Sequence, residues 1–366
     1  MQDLFDMRTQ LISHYYEVLE KGIGEMPDYN GCVYRYDEGD DLLYITKVIQ
    51  RVNAAGEIHI PLGFDYFDES VTFINRKNMK FIDVGSIKEI AFNTHNKFPK
   101  SLKGIKGDYV TVLGERQFCD LCSLTTVDMK NLDTIGNSCF SKCRDLKEIT
   151  LGKVTYVGDY AFSECDSLVS VNFNSLEICS SSDVFNHSGV AYFRANKLIY
   201  VDNSFFSYAG NLESVYAPSL STLGKGLFKG CEKLKYCELG RLDKGVFNNY
   251  VDNTSYLDEH EISTKSDVFD VYLRNSSKLF LILPSMFSVK ALSKTKDLTF
   301  KFSCEDFGLA ELVIQFVTLA YLAKGETSNL TLSQVSSLKT KFLKCFKDGK
   351  FVGLKSIKFE IKIVKG

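Results

Sequence analysis

Seven windows of the chain repeat with one spacing, and that spacing restricts the fold more than any other feature. Leu102, Leu124, Leu146, Leu168, Val190, Leu212 and Leu234 each stand 22 residues apart. Three residues after each come Ile105, Val127, Ile149, Val171, Phe193, Val215 and Cys237, and five further on Val110, Leu132, Val154, Leu176, Leu198, Leu220 and Leu242. An apolar–Gly pair follows in four copies: Leu113-Gly114, Ile135-Gly136, Val157-Gly158 and Leu223-Gly224. A Phe comes next (Phe118, Phe140, Phe162, Phe206, Phe228), then a Cys (Cys143, Cys165, Cys231). A window this short cannot bury its own apolar side. Neighbour must therefore cover neighbour, which makes a solenoid.

The pattern predicts the form of each coil. Alternation at Val127 and Met129, Ile149 and Leu151, and Val171 and Phe173 marks a short strand with every second residue turned inward. The Gly reads as a turn residue, because glycine tolerates φ > 0. The Phe fills the space between coils, and burying one contributes roughly 1.5–3 kcal/mol. The complete motif is L-x-x-I-x-L-x-x-V-x-x-[IV]-G-x-x-A-F-x-x-C-x-x-L, and Leu146 to Leu168 matches it at every motif position. It resembles the BspA-like leucine-rich repeats found in bacterial and protist surface proteins and in some viral proteins. The resemblance spans residues 102–248 and implies a right-handed, curved repeat domain that serves adhesion or protein binding.

Two copies are degenerate. The copy opening at Leu168 has Ser180 for Gly and Phe185 one place late, with His187 where Cys143 and Cys165 stand; the copy opening at Val190 has Asp202 for Gly and Ala209 for Cys. Before the repeats, Leu4, Leu11, Ile12, Tyr15, Val18 and Leu19 predict an amphipathic helix over residues 3–21, interrupted by Arg8 and stopped at Gly22. Strand-like runs follow at 31–36, 42–52, 57–61 and 71–74, and between Lys80 and Lys100 the period is lost. After a polar, acidic stretch at 250–266, strands are expected at 268–273, 279–283 and 298–302, and helices at 309–323 and 334–346. The alternation of Ile357, Phe359, Ile361 and Ile363 reads as a last strand in an antiparallel sheet covered by helices. The expected class is α+β: an N-terminal module and cap (1–100), leucine-rich repeats of 22-residue coils (101–250), and a C-terminal α+β domain (251–366).

Composition narrows the function. Net charge of −2 argues against general nucleic-acid binding, although residues 288–366 hold 14 Lys against 7 Asp and Glu. No positive n-region with an apolar core opens the chain. The apolar-rich run at 309–323 carries Glu311, Gln315 and Thr318 and is too short to span a bilayer. Eleven cysteines, several at repeat positions that want a small apolar group, read as reduced thiols. The expected setting is cytoplasmic, with no membrane association.

Sites for chemistry are sparse. Cys119-x2-Cys122 with Cys139-x3-Cys143 has a four-thiolate zinc spacing, but the repeat frame already explains Cys139 and Cys143 as packing residues. His260 within Asp258-Glu259-His260-Glu261 reads as part of a solvated loop. No G-x-G-x-x-G, P-loop or G-x-S-x-G motif occurs. No catalytic residue, metal or cofactor is expected.

The outer side of the strands is more informative. One column runs Thr126, Glu148, Ser170, Tyr192, Ser214 and Tyr236, and the next Asp128, Thr150, Asn172, Arg194, Tyr216 and Glu238. Tyr192, Arg194, Tyr216 and Tyr236, flanked by Asn172 and Glu238, are of the types enriched where proteins grip one another. The expected function is non-catalytic recognition of another protein through this face, as a scaffold or as an inhibitor that occludes its partner. Two other classes fit less well. One is an enzyme or nucleic-acid binder in the C-terminal part, using Lys339, Lys341, Lys344, Lys347 and Lys350; the other is a surface adhesin without its signal.

Overall fold

The computed structural model describes residues 2–21, 26–74, 76–92, 97–224, 226–239, 268–273, 297–304 and 356–363. The chain divides into two compact units, residues 1–169 and 170–366.

The first unit opens with α1 (Gln2–Glu20). Its inward side holds Leu11, fully buried, whose carbonyl accepts from the Tyr34 hydroxyl at 3.0 Å. Gly63 makes the close approach possible: its φ is +103°, and a Cβ there would come within 2.7 Å of Leu11 Cδ1. Arg8, the residue that breaks the apolar stripe, donates to the carboxylates of Asp65 and Asp41. Asp65 is buried and also accepts from Lys88 Nζ at 2.7 Å and from the Leu43 N–H at 3.0 Å. Leu19, counted in the stripe, is half exposed.

Five strands follow: β1 (Asp28–Tyr29), β2 (Cys32–Asp37), β3 (Leu42–Val48), β4 (Glu57–His59) and β5 (Tyr66–Phe73). β1, β2, β3 and β5 form one sheet in that order, antiparallel up to β3 and parallel from β3 to β5. β4 instead begins the winding. Then come β6 (Phe81–Asp83), β7 (Glu89–Ile90), β8 (Gly104–Lys106), β9 (Val112–Leu113), β10 (Thr126–Met129), β11 (Thr134–Ile135), β12 (Glu148–Leu151) and β13 (Tyr156–Val157). They make two parallel ladders, β12-β10-β8-β6-β4 and β13-β11-β9-β7. The winding thus reaches back to Glu57. Gly104 pairs with Thr126 at the 22-residue offset, but Phe81 pairs with Gly104, 23 residues on, and Glu57 with Phe81, 24 residues on. One or two extra residues per coil destroy the sequence period there without disturbing the ladder.

Inside, Phe98, Phe118, Phe140 and Phe162 stack ring on ring, with centroids 5.3, 5.3 and 5.4 Å apart and planes within 17° of parallel. All four are buried. Each ring covers the next, which no single coil could do for itself.

The glycine of the apolar–Gly pair does a different job from the one its sequence suggests. Gly114, Gly136, Gly158 and Gly224 are absent from the positive-φ residues. They are small because another turn of backbone lies against them: a Cβ on Gly136 would sit 2.5 Å from the Gly114 carbonyl carbon, and one on Gly158 2.5 Å from the Asn137 nitrogen. Left-handed backbone occurs instead two and six residues later, at Arg116 and Asp120, Ser138 and Lys142, and Tyr160 and Glu164. A side chain in that conformation costs about 1–2 kcal/mol. What holds it is a backbone bond to the next coil: Arg116 N–H to Asn137 O, Asp120 to Ser141, Ser138 to Asp159 and Lys142 to Ser163, at 2.7–2.9 Å.

The second unit repeats the plan with β14 (Ser170–Asn172), β15 (Ile178–Cys179), β16 (Tyr192–Arg194), β17 (Tyr200–Val201), β18 (Ser214–Ala217), β19 (Thr222–Leu223), β20 (Tyr236–Leu239), β21 (Val268–Leu273), β22 (Asp297–Cys304) and β23 (Ser356–Ile363). One ladder runs β14-β16-β18-β20-β21-β22-β23 and the other β15-β17-β19. β21, β22 and β23 pair parallel to β20 and to each other, which corrects the antiparallel arrangement expected for residues 356–364. Alternation reports only which side of a strand is apolar, and that is compatible with either direction. The expected helices at 309–323 and 334–346, the strand at 279–283, the acidic stretch at 250–266 and Gly22 lie outside the described residues.

The late Phe185 is accommodated within its own copy. Its ring stacks on Phe206 (5.6 Å, 18°) and Phe206 on Phe228 (5.9 Å, 3°). The left-handed pair sits at Asp183 and His187, then at Ser204 and Tyr208. One residue is gained before the turn and one lost after it, so the strands on either side keep phase.

Two substitutions separate the two backbone demands. Gly136→Ala is expected to lower stability by about 2 kcal/mol, because the new Cβ overpacks fixed backbone. Lys142→Gly should stay within about 1 kcal/mol of the parent, relief of the left-handed strain being offset by extra freedom of the unfolded chain. Urea midpoints read both; equal effects would contradict the assignment. In the cap, Asp65→Ala should cost about 3 kcal/mol by the same measurement, the low end for a broken buried pair because Lys88 is half exposed and rehydrates.

Candidate functional site

A parallel ladder with a constant offset turns sequence columns into physical ones. Ser170, Tyr192, Ser214 and Tyr236 are successive in-register partners, as are Asn172, Arg194, Tyr216 and Glu238. Between them Val171, Phe193, Val215 and Cys237 point inward and are buried. The structure therefore brings together all six residues that the sequence singles out, on β14, β16, β18 and β20.

Side-chain contacts tie the face together. The Arg194 guanidinium lies over the Tyr216 ring, 4.4 Å from its centroid. The Tyr236 hydroxyl donates to Glu238 Oε2 at 2.6 Å, and the Tyr192 hydroxyl to Glu213 Oε2 at 3.4 Å. Lys235 Nζ pairs with the same Glu213 oxygen at 3.1 Å and, with that hydrogen bond first among the causes, holds the carboxylate below its usual range. Tyr192 is 50% exposed, Asn172 and Arg194 are exposed, and Tyr216 and Tyr236 are half-buried. Glu238 is only 6% exposed; it positions Tyr236 and offers little surface of its own. Glu213 and Lys235 belong to the face but do not emerge from sequence reasoning. Their column, two places before the inward residue, shows no periodic type.

The second ladder carries a further surface that the sequence reading passed over. Ile178 is 61% exposed and pairs in register with Tyr200, and Ile199 is 45% exposed. These strands are two residues long, too short for alternation to stand out.

The repeat cysteines are hydrogen-bond donors as well as packing groups. Cys143 Sγ reaches Phe118 O at 3.0 Å, Cys165 reaches Phe140 O at 3.1 Å and Cys231 reaches Phe206 O at 3.1 Å. Burial pushes all three thiols well above their ordinary range. His187 does not take the cysteine place, as expected from the unshifted frame. The one-residue shift puts Ser188 there, and His187 holds a left-handed turn position with its ring stacked on Tyr208 at 4.8 Å. Of the four cysteines with zinc-like spacing, Cys143 is turned to a carbonyl, Cys122 is exposed, and Cys119 and Cys139 are buried. Among the described residues no three His, Cys, Asp or Glu side chains gather as metal ligands would, and no helix is long and apolar enough to cross a membrane. His260 and Lys339, Lys341, Lys344, Lys347 and Lys350 lie outside the described residues.

Stacked coils, each opened by an L-x-x-I-x-L strand, define a leucine-rich-repeat protein. The family model for the BspA type leucine rich repeat region matches in six copies, over residues 69–191 and 181–282, and the chain belongs to that family. Among solved structures it is similar to a leucine-rich repeat protein of T. pallidum, at 18% identity over 58% of this chain and 71% of that one, with a TM-score of 0.28. The pneumococcal vaccine antigen PcpA matches at 13% identity over 94% of this chain and 100% of that one, with a TM-score of 0.34. A leucine-rich repeat protein from Bacteroides ovatus matches at 14% identity over 75% and 94%, with a TM-score of 0.23. A comparison with curated proteins returns no match.

The thiol geometry sets an expected reactivity. In the native protein a thiol reagent should label exposed Cys122 quickly, while Cys139, Cys143, Cys165, Cys231 and Cys237 react only on unfolding, since burial disfavours the thiolate. Mass-spectrometric mapping of labelled peptides over time decides it. Rapid labelling of Cys143 in folded protein would contradict the packing described.

Proposed function

We propose that this chain is a non-catalytic protein-recognition module and that its contact face is the outer side of β14, β16, β18 and β20. The observation that carries the reading is the pair of adjacent in-register columns that set Tyr192, Arg194, Tyr216 and Tyr236 on three adjacent strands, each side chain already held by a neighbour. Tyrosines steadied in this way supply large contact area while losing little rotamer freedom on binding. The family's typical use in protein binding supports the same reading, whether the chain bridges partners as a scaffold or occludes a partner's site as an inhibitor.

A reducing, cytoplasm-like setting completes the proposal. Its support is the thiol donation of Cys143, Cys165 and Cys231 to backbone carbonyls. A disulfide sulfur has no proton to give, and oxidation would remove the second of two hydrogen bonds at each of those carbonyls, which also accept the Leu121, Cys143 and Ala209 N–H groups.

The test is a combined Tyr192→Ser, Arg194→Ala, Tyr216→Ser and Tyr236→Ser variant. Capture from a lysate of the source organism should yield proteins with the parent that are lost with the variant, and the affinity for any such protein should fall by more than roughly a hundredfold. An unchanged far-UV spectrum and melting temperature would confirm that the fold survives. Equal capture by parent and variant removes the reading.

A further inference from the structure

Among the groups on this face, Arg194 stands in an electrostatically unfinished state. Its guanidinium lies on the Tyr216 ring, and among the described residues no carboxylate, carbonyl or hydroxyl accepts a hydrogen bond from it. Both nearby carboxylates are engaged elsewhere. Glu213 is shared between Lys235 and Tyr192, and Glu238 is buried and bonded to Tyr236. A ring contact at this distance leaves the N–H donors, which lie in the guanidinium plane, without an acceptor of their own among the described residues. On the other side of Arg194 the in-register neighbour is Asn172, an exposed amide.

That arrangement constrains anything that covers the face. Removing an arginine from water without an acceptor is strongly unfavourable, whereas a carboxylate meets its fork with two parallel hydrogen bonds. We infer that the partner presents an Asp or Glu side chain that docks edge-on against Arg194, with the Tyr216 ring beneath the pair. Tyr192 lies two residues before Arg194 on the same strand, and Tyr236 lies one coil beyond Tyr216. Asn172 supplies a further donor to the same carboxylate. The carboxylate belongs to a protein, and Arg194 is the group that sets its register on the ladder. This inference rests on the proposed function and assigns the chemistry of the partner at that face.

The experiment uses the full chain and poly-L-glutamate as probe, at low ionic strength, with poly-L-glutamine as the neutral control. The Nε–H resonance of Arg194 in a nitrogen-15 spectrum should shift saturably with poly-L-glutamate and not with poly-L-glutamine. Arg194→Gln should weaken binding of the probe by roughly tenfold or more, in keeping with loss of a charge-assisted pair. Arg194→Lys should recover only part of it, because an ammonium keeps the charge and loses the fork. Full recovery by lysine would overturn the edge-on geometry. No shift at Arg194, or equal binding by Arg194→Gln, would overturn the inference as a whole. So would a shift produced by a phosphoserine peptide and not by poly-L-glutamate. The two readings fail separately: if the four-residue variant captures the same proteins as the parent, the contact face is wrong whatever the titration shows. If capture is lost but Arg194→Gln binds every captured protein as the parent does, the face stands and the carboxylate assignment falls.

Discussion

Backbone hydrogen bonds from each coil to the next are the interaction on which the rest of this structure depends. They occur at three places per coil, in each of two strand ladders and again at the return turn, where Phe118 N–H reaches Cys139 O and Phe140 reaches Ala161 at 2.9 Å. Two such ladders leave adjacent coils no freedom to slide. Their spacing, roughly 4.8 Å, explains otherwise unrelated details. It brings backbone against Gly136 and Gly158, leaving no room for a Cβ. It also goes with left-handed backbone at Ser138 and Lys142, whose N–H groups reach Asp159 O and Ser163 O on the neighbouring coil.

The same spacing organises the interior. Aromatic rings repeated at this rise are brought face over face, as the stack from Phe98 to Phe162 shows. At the turn the thiols of Cys143 and Cys165 add a second donor to the Phe118 and Phe140 carbonyls, which also accept the Leu121 and Cys143 N–H groups. A carbonyl oxygen has two lone pairs, so both donors are met there at once. A winding of this kind must also be closed at its end. In the first unit α1 lies against β2, held by Leu11, Tyr34 and the Arg8–Asp65–Lys88 cluster.

On the outside, register converts a one-dimensional pattern into a surface. Tyr192 and Tyr236 are 44 residues apart in sequence and two strands apart in space. Each is bonded to a carboxylate, and the Tyr216 ring lies under a guanidinium, so the three rings are restrained by neighbours on the same face. Electrostatic pairing within the face is complete for Glu213, Lys235 and Glu238. It is incomplete for Arg194, whose contact is the Tyr216 ring.

Much of this was legible in the residue order, for a definite reason. A period of 22 with apolar positions repeated in seven windows has one economical solution, so the winding, the buried Phe and Cys positions and the two outward columns could be read directly. Periodicity failed where coil length varied: the 23- and 24-residue offsets at Phe81 and Glu57 conceal coils as regular in hydrogen bonding as the rest. The pattern also cannot say why a residue is small. Gly136 looks like a turn residue, and only the proximity of Gly114 reveals it as a contact. Likewise, His187 could be placed at its turn only once the shifted stack of Phe185 on Phe206 was seen. Sequence by itself determined that coils stack and which side chains face out, because both follow from spacing along the chain. Tertiary structure alone decided the direction of β23, the job of the repeat thiols and the unanswered charge of Arg194, because each depends on atoms contributed by a different coil.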